Sequence, residues 1–442
     1  MFENNMAMYS RYLTELTLAF HIIFATIGVG VPMMIALAQW IGLKKKDPHL
    51  LLLARRWARG FVITVAVGVV TGTAIGLQLS LLWPNFMELA GQVISLPLFM
   101  ETFAFFIEAI FLGIYLYTWD RFKNPYRHLL LLIPVVIGSS MSAVFITIVN
   151  AFMNAPQGFE LSNGVITAID PLKAMFNPAT PTKVAHVLSS AYMTSAFILA
   201  SIAAFRILKG SKHAYHKKAL HLTLGAAFIF SITTALIGDF SGKYLAEYQP
   251  EKLAAAEWHF ETDTEVPLVL FGYLNDDKEV KNAISIPYGL SILSNNLPST
   301  EVIGLNEFPV DEQPPLYIHY LFDLMVTIGM GLTFLSTLYL VLVKWKQQWI
   351  YKKWLMITTS LSGIAAVLAI ELGWIFAEVG RQPWILRGYM KTIDGATASP
   401  HVDVLLVVFA VLYLALGIGS IIVLRKMFKQ NTAETELKEL GL

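Results

Sequence analysis

The sequence predicts an all-α integral membrane protein: nine transmembrane helices in helical bundles, N-terminus outside, C-terminus cytoplasmic. Three observations predict it. Of 442 residues, 56% are hydrophobic and 14% charged, against about 25% charged in soluble domains; mean hydropathy is +0.59. Nine apolar runs are long enough to cross a hydrocarbon core of about 30 Å, which takes roughly 20 helical residues. Finally, 22 of the 32 Lys and Arg fall in segments that the alternating runs place on one side. The positive-inside rule makes that side the cytoplasm.

The runs lie at 15–42, 60–83, 95–119, 128–151, 184–207, 219–239, 316–343, 354–380 and 402–424. Their inner connections carry Lys44, Lys45, Lys46, Arg55, Arg56 and Arg59, then Arg121, Lys123 and Arg127. Arg206, Lys209, Lys212, Lys217 and Lys218 follow, then Lys344, Lys346, Lys352 and Lys353, and last Arg425, Lys426, Lys429 and Lys438. Ahead of the first run stand Glu3, Arg11 and Glu15, which make no basic n-region, so the first run is expected as a retained helix rather than a cleaved signal peptide. Three regions result: helices one to six in 1–239, an extracytoplasmic loop in 240–315, and helices seven to nine with a short cytoplasmic tail in 316–442.

Helix two carries Gly68, Gly72 and Gly76, a small-residue stripe that lets a neighbouring helix approach. It is read as packing, without chemistry. The outer segment 152–183 holds Pro156, Pro171, Pro178 and Pro181 and reads as irregular structure over the bundle. The segment Ser241–Pro315 holds 13 acids against four bases. At that length it is expected to be functional or partly disordered. Its first part, Gly242 to Thr262, has helix-forming composition and is expected as an amphipathic helix on the outer membrane surface.

Several residues are candidates for chemistry. The absence of cysteine excludes disulfides, thiolate iron–sulfur clusters and covalent c-type haem, which leaves His, Met and carboxylates as metal ligands. His21 lies about a third of the way into helix one, and His186 opens helix five; both are candidate haem ligands. Met325 in helix seven is a possible thioether partner, and it gains meaning only in combination because most helical Met residues serve packing. Glu101 and Glu108 in helix three are seven residues apart, hence on one face to within about 20°. Paired intramembrane carboxyls suit a proton relay, with structural hydrogen bonding as the alternative. Helix eight repeats that spacing with Glu371 and Glu378, and Trp374 lies between them. Arg381 and Gln382 follow before Pro383. Glu378 is therefore either a functional intramembrane acid or one half of a self-neutralising Glu378–Arg381 pair. Without further information the acids also fit a proton-coupled transporter, although no inverted repeat marks one.

Taken together, these residues resemble subunit I of the cytochrome bd-type quinol oxidases, over the whole chain. The most specific piece is Gly-Trp-x-x-x-Glu-x-Gly-Arg-Gln-Pro-Trp, complete from Gly373 to Trp384. Supporting it are Ser10-Arg11 ahead of His21, the turn Trp83-Pro84-x-Phe86-Met87, and the long loop after helix six. The resemblance implies two haem b groups, one low-spin and one high-spin, and one haem d. It makes His186 and Met325 the axial pair of the low-spin haem, and His21 and Glu378 the single ligands of the other two. It makes Trp374 a packing or electron-path residue, Arg381 a propionate anchor, Lys252 and Glu257 quinol-binding residues, and Glu101 and Glu108 proton carriers. The family often has Arg two residues before the Met ligand, where this chain has Asp323. Implied partners are a second membrane subunit, with room for a small single-helix accessory subunit, together with quinol, O2 and the lipid bilayer, and no nucleic acid. The implied location is the bacterial cytoplasmic membrane.

Overall fold

The computed structural model describes residues 2–162 and 164–439. Among the described residues nine helices are long and apolar enough to cross a membrane. They are α1 (Phe2–Lys45), α2 (Pro48–Leu82), α3 (Pro84–Tyr117), α4 (Leu132–Asn154), α5 (Thr180–Leu208), α6 (Ala214–Tyr248), α7 (Ile318–Trp345), α8 (Lys353–Val379) and α9 (Val402–Gln430). Each coincides with one predicted apolar run, and several extend well beyond it. Thus α2 takes in Arg55, Arg56 and Arg59, and α6 continues to Tyr248. The backbone ladder persists past the apolar centre because long charged side chains near a membrane boundary still reach water. Capping sets the sharper boundaries. Asp47 accepts a hydrogen bond from the His49 amide at 3.0 Å, and Pro48 occupies the first position of α2, where a missing N–H costs nothing.

The helices form two four-membered rings. In the first, α1 packs on α2, α2 on α3, α3 on α4 and α4 on α1; in the second, α5, α6, α7 and α8 close in the same way. The rings meet where α5 packs on α1 and α4, and α9 lies outside against α1 and α2. At the α1–α5 contact, a Cβ on Gly30 would stand 2.3 Å from Ser195 Oγ and 2.5 Å from the Ala191 carbonyl oxygen, so only glycine permits that approach.

One end of the molecule collects the basic connections. There Lys218 pairs with Asp47 at 2.6 Å, and Arg59 with Glu436 of the C-terminal helix Ala433–Glu439 at 2.5 Å, with Arg56 on the same carboxylate. The opposite end carries the start of α1 and the folded connections. The α4–α5 connection contains a two-stranded hairpin (Glu160–Ser162 with Val165–Thr167) and a short helix, Pro171–Met175. Between α6 and α7 the chain is folded rather than disordered. It forms the helix Pro250–Ala256, two antiparallel strand pairs (Leu268–Leu270 with Ile284–Ile286, Tyr273–Leu274 with Val280–Lys281) and the helix Gly289–Asn295.

The expected surface-lying amphipathic helix over Gly242 to Thr262 is not what forms. Gly242 to Tyr248 continue α6, and Pro250–Ala256 packs into the bundle end, with Leu253, Ala254, Ala255 and Ala256 all buried. The three consecutive alanines Ala254, Ala255 and Ala256 keep its second half small enough for close packing.

Candidate functional site

Polar side chains from α4 and α5 gather at the last turn of α8. Arg381 Nη2 donates to Glu378 Oε2 at 2.5 Å, and Asn150 Nδ2 of α4 donates to Glu378 Oε1 at 2.5 Å. Lys183 Nζ of α5 in turn donates to Asn150 Oδ1 at 2.8 Å. The Glu378–Arg381 pair foreseen as an alternative is therefore present. It does not exhaust the carboxylate, since an ionised carboxylate offers about four lone-pair sites and only these two contacts are made. Arg381 Nη1 donates to the Trp384 and Ile385 carbonyls at 2.9 and 2.5 Å, while its buried Nε has no partner.

The other candidate ligands sit around the two rings. His21 Nδ1 lies 2.8 Å from Thr71 Oγ1, and that hydroxyl donates to the Val67 carbonyl at 2.9 Å. The contact with Thr71 engages Nδ1 and fixes the ring's orientation, so that Nε2 is the ring nitrogen left to hold a metal. A Cβ on Gly72 would approach His21 Cε1 to 3.2 Å. Gly72, one of the three glycines of the α2 stripe, thus seats the His21 ring, a role beyond the packing assigned to it from sequence. His186 on α5 faces Gly238 of α6, and its buried Nδ1 has no hydrogen-bond partner. Met325 on α7 faces Gly373 of α8, where a Cβ would stand 2.9 Å from Sδ. Trp374 follows directly in sequence, and Glu371 has one buried carboxylate oxygen without a partner. On α3, Glu101 accepts from Ser142 Oγ of α4 at 2.8 Å, and Glu108 is buried.

Lys252 and Glu257 lie on and just after the short helix Pro250–Ala256, both buried, facing different neighbours. Lys252 Nζ donates to the Ala377 carbonyl at 3.1 Å and lies 4.6 Å from the centre of the Phe376 ring. A Cβ on Gly380 would come within 2.5 Å of Lys252 Cε. Burial, reinforced by Lys183, pushes the Lys252 amine well below its usual range. Glu257 Oε2 accepts from the Val269 amide at 3.4 Å, and Oε1 is buried without a partner. Burial, reinforced by the Asp323 charge, pushes its carboxyl well above the ordinary value. Each group is thereby shifted toward its uncharged form. Asp323 accepts from the Phe271 amide at 2.5 Å and pairs with His319 at 3.2 Å. The departure at Asp323 thus ties the α6–α7 segment to the start of α7, with Trp258 stacked on His319 at 3.8 Å.

The family model for cytochrome bd terminal oxidase subunit I matches residues 9–432. The chain belongs to that family. It is 44% identical over 433 residues to the putative cytochrome bd menaquinol oxidase subunit I of Bacillus subtilis (strain 168), covering 97% of this chain and 98% of the relative. A second relative from the same organism, cytochrome bd ubiquinol oxidase subunit 1, is 31% identical over 418 residues, 91% of this chain and 89% of the relative. Among solved structures, a chain of the bd oxidase from Geobacillus thermodenitrificans aligns with a TM-score of 0.95 at 67% identity, over 98% of this chain and 100% of that one.

As a bd oxidase subunit I, the protein is a multi-pass membrane component of a quinol:oxygen oxidoreductase, and the family is haem-containing and multi-subunit. Its residues fit such a group. The Nε2 of His21, opposite the nitrogen that meets Thr71, the orphaned Nδ1 of His186, the thioether against Gly373 and the partnerless Nε of Arg381 are all features that a bound metalloporphyrin with acidic side groups would use. Asn150, Lys183, Thr71 and His319 were not found from sequence. Each lies on a different helix from the residue it supports or, for His319, one turn before Asp323 in a boundary segment, and spacing along the chain does not reveal such contacts.

Proposed function

We propose that this chain is the haem-bearing subunit of a terminal oxidase that oxidises quinol at the outer face and reduces O2 to water with cytoplasmic protons. It thereby builds a proton gradient without pumping. One observation carries the reading: at the end of α8 the candidate quinol-binding amine, Lys252, donates to the carbonyl of Ala377, the residue next to the candidate iron ligand Glu378. In this reading the folded end faces outward and the basic end inward, as the positive-inside rule requires, in the cytoplasmic membrane of a bacterium. Residues 240–315 serve as the quinol loop between helices one to six (1–239) and seven to nine (316–442). Partners are a second membrane subunit and a small accessory subunit.

His186 and Met325 would hold a low-spin haem b; His21 and Glu378 would hold a high-spin haem b and a haem d, one apiece. When bound, these groups supply one-electron transfer and O2 chemistry. Arg381 and Asn150 orient Glu378, and Thr71 orients His21. Trp374, next to the Met325 seat, packs between the sites. Lys252 and Glu257 help bind quinol and take up the protons that its oxidation releases. Glu108 and Glu101, one above the other on α3, pass protons from the inner side toward the oxygen site.

Dithionite-reduced membranes containing this chain and its partner subunit are expected to show a chlorin-type red absorption band; protein without that band would remove haem d from the reading. Lys252→Met and Glu257→Gln are each expected to raise the quinol KM roughly tenfold or more, the loss of one hydrogen bond to a charged or buried group, with haem spectra unchanged. Loss of haem in either variant would make the loop structural instead.

A further inference from the structure

We infer that Arg387 and Glu251 are positioning residues for the quinol site, a fork that fixes the elbow from which Lys252 is presented. The inference rests on the reading of Lys252 as a quinol-binding residue. Arg387 lies between the two strands of the hairpin that follows α8, Trp384–Leu386 and Met390–Lys391. Its backbone amide donates to the Met153 carbonyl in the last turn of α4 at 3.1 Å. Its Nε and Nη2 donate to Glu251 Oε1 and Oε2 at 2.8 and 3.0 Å, and Nη1 donates to the Tyr248 carbonyl at 2.6 Å. All three guanidinium nitrogens are therefore engaged, two of them on one carboxylate.

The two targets lie on opposite sides of a bend. Tyr248 is the last residue of α6, and Gln249, with φ −142° and ψ 55°, breaks the helix. Glu251 is in the first turn of Pro250–Ala256, directly before Lys252. The Tyr248 carbonyl is one of the terminal groups a helix leaves unpaired, and Arg387 satisfies it while gripping the next helix. The angle of the elbow is thereby set by a rigid planar group that is itself anchored to α4.

The seat of Lys252 has little tolerance for a different angle. Its Cε occupies the space that a Cβ on Gly380 would fill, and its Nζ rests on the Ala377 carbonyl. A rotation of the short helix would drive the side chain into α8 or withdraw the amine from its place. Lysine could not replace Arg387, because an ammonium cannot grip a carboxylate with two parallel bonds while reaching a third acceptor.

The test measures quinol KM, kcat and haem spectra on the assembled oxidase. Arg387→Gln is expected to raise KM roughly tenfold, with kcat within about twofold and haem spectra intact. Arg387→Lys should give a smaller rise, and it supplies the reading if the glutamine variant fails to assemble. In a Lys252→Met background, Arg387→Gln should add no further rise, since neighbours acting through one group are not additive. An unchanged KM in Arg387→Gln, an equal rise with and without Lys252, or loss of haem spectra in both Arg387 variants would each overturn the positioning role. If Lys252→Met raises KM and Arg387→Gln does not, the positioning role alone falls. If Lys252→Met leaves KM unchanged, the quinol reading of Lys252 falls and takes the positioning role with it.

Discussion

Glu378→Gln is expected to abolish oxygen reduction and to strip one haem from the protein while the chain still inserts. The amide keeps the shape of the side chain but removes the anion. Losing a hydrogen-bond partner that merely orients a ligand costs roughly 10–100-fold in metal affinity or activity, so losing the ligand itself should exceed that. The same substitution leaves the Arg381 guanidinium without its counter-ion at a site where its side chain is 3% exposed. Breaking a buried pair from one side destabilises by about 3–5 kcal/mol, so thermal stability should fall together with activity. The double variant Glu378→Gln/Arg381→Gln separates the two effects: it is expected to recover much of the stability and none of the activity. Asn150→Ala removes only one orienting contact from the same carboxylate and should fall in the smaller 10–100-fold range. Oxygen uptake with quinol as donor, haem content and thermal unfolding measure all three variants. Full haem occupancy in Glu378→Gln would return Glu378 to the role of salt-bridge partner.

The legibility of this protein in its sequence follows the physics of its solvent. A bilayer core forces backbone polar groups to pair within each segment, so each of the nine apolar runs translates into a helix. The motif from Gly373 to Trp384 lies within one stretch of chain, which is why its glutamate and arginine could be read together. What escaped is what other helices bring to that stretch. Nothing in the spacing of α4 or α5 announces that Asn150, held in turn by Lys183, reaches Glu378, or that the hydroxyl of Thr71 orients the ring of His21. The α6–α7 segment misled for a related reason. Its helix-forming start read as an amphipathic helix on the membrane surface, whereas the alanine-rich turn there is drawn into the bundle end. Asp323 looked like a missing cation near Met325, and it proves to be the anchor by which that segment is held to α7.

Met325→Leu is expected to eliminate the spectral signature of a six-coordinate low-spin haem b, with chain insertion and the remaining haem content preserved. Leucine matches the volume of methionine, and such swaps usually cost less than about 1.5 kcal/mol; what it removes is the thioether. A His/Met pair raises a haem's potential, so any haem retained through His186 alone should be reduced only at a lower potential, and quinol should no longer reduce it efficiently. The position of Gly373 allows the same test without touching the ligand. A Cβ there would stand 2.9 Å from Sδ, tighter than side chains tolerate, so Gly373→Val should displace the thioether and reproduce the Met325→Leu spectrum. Gly373→Ala, which asks only the flexible end of a methionine to move, should give a milder shift in potential. This ordered series of alanine, valine and ligand deletion is what a thioether seated against a bare helix backbone predicts. If Met325→Leu leaves the low-spin signal intact, Met325 is a packing residue and the glycine at 373 serves only the contact between α7 and α8.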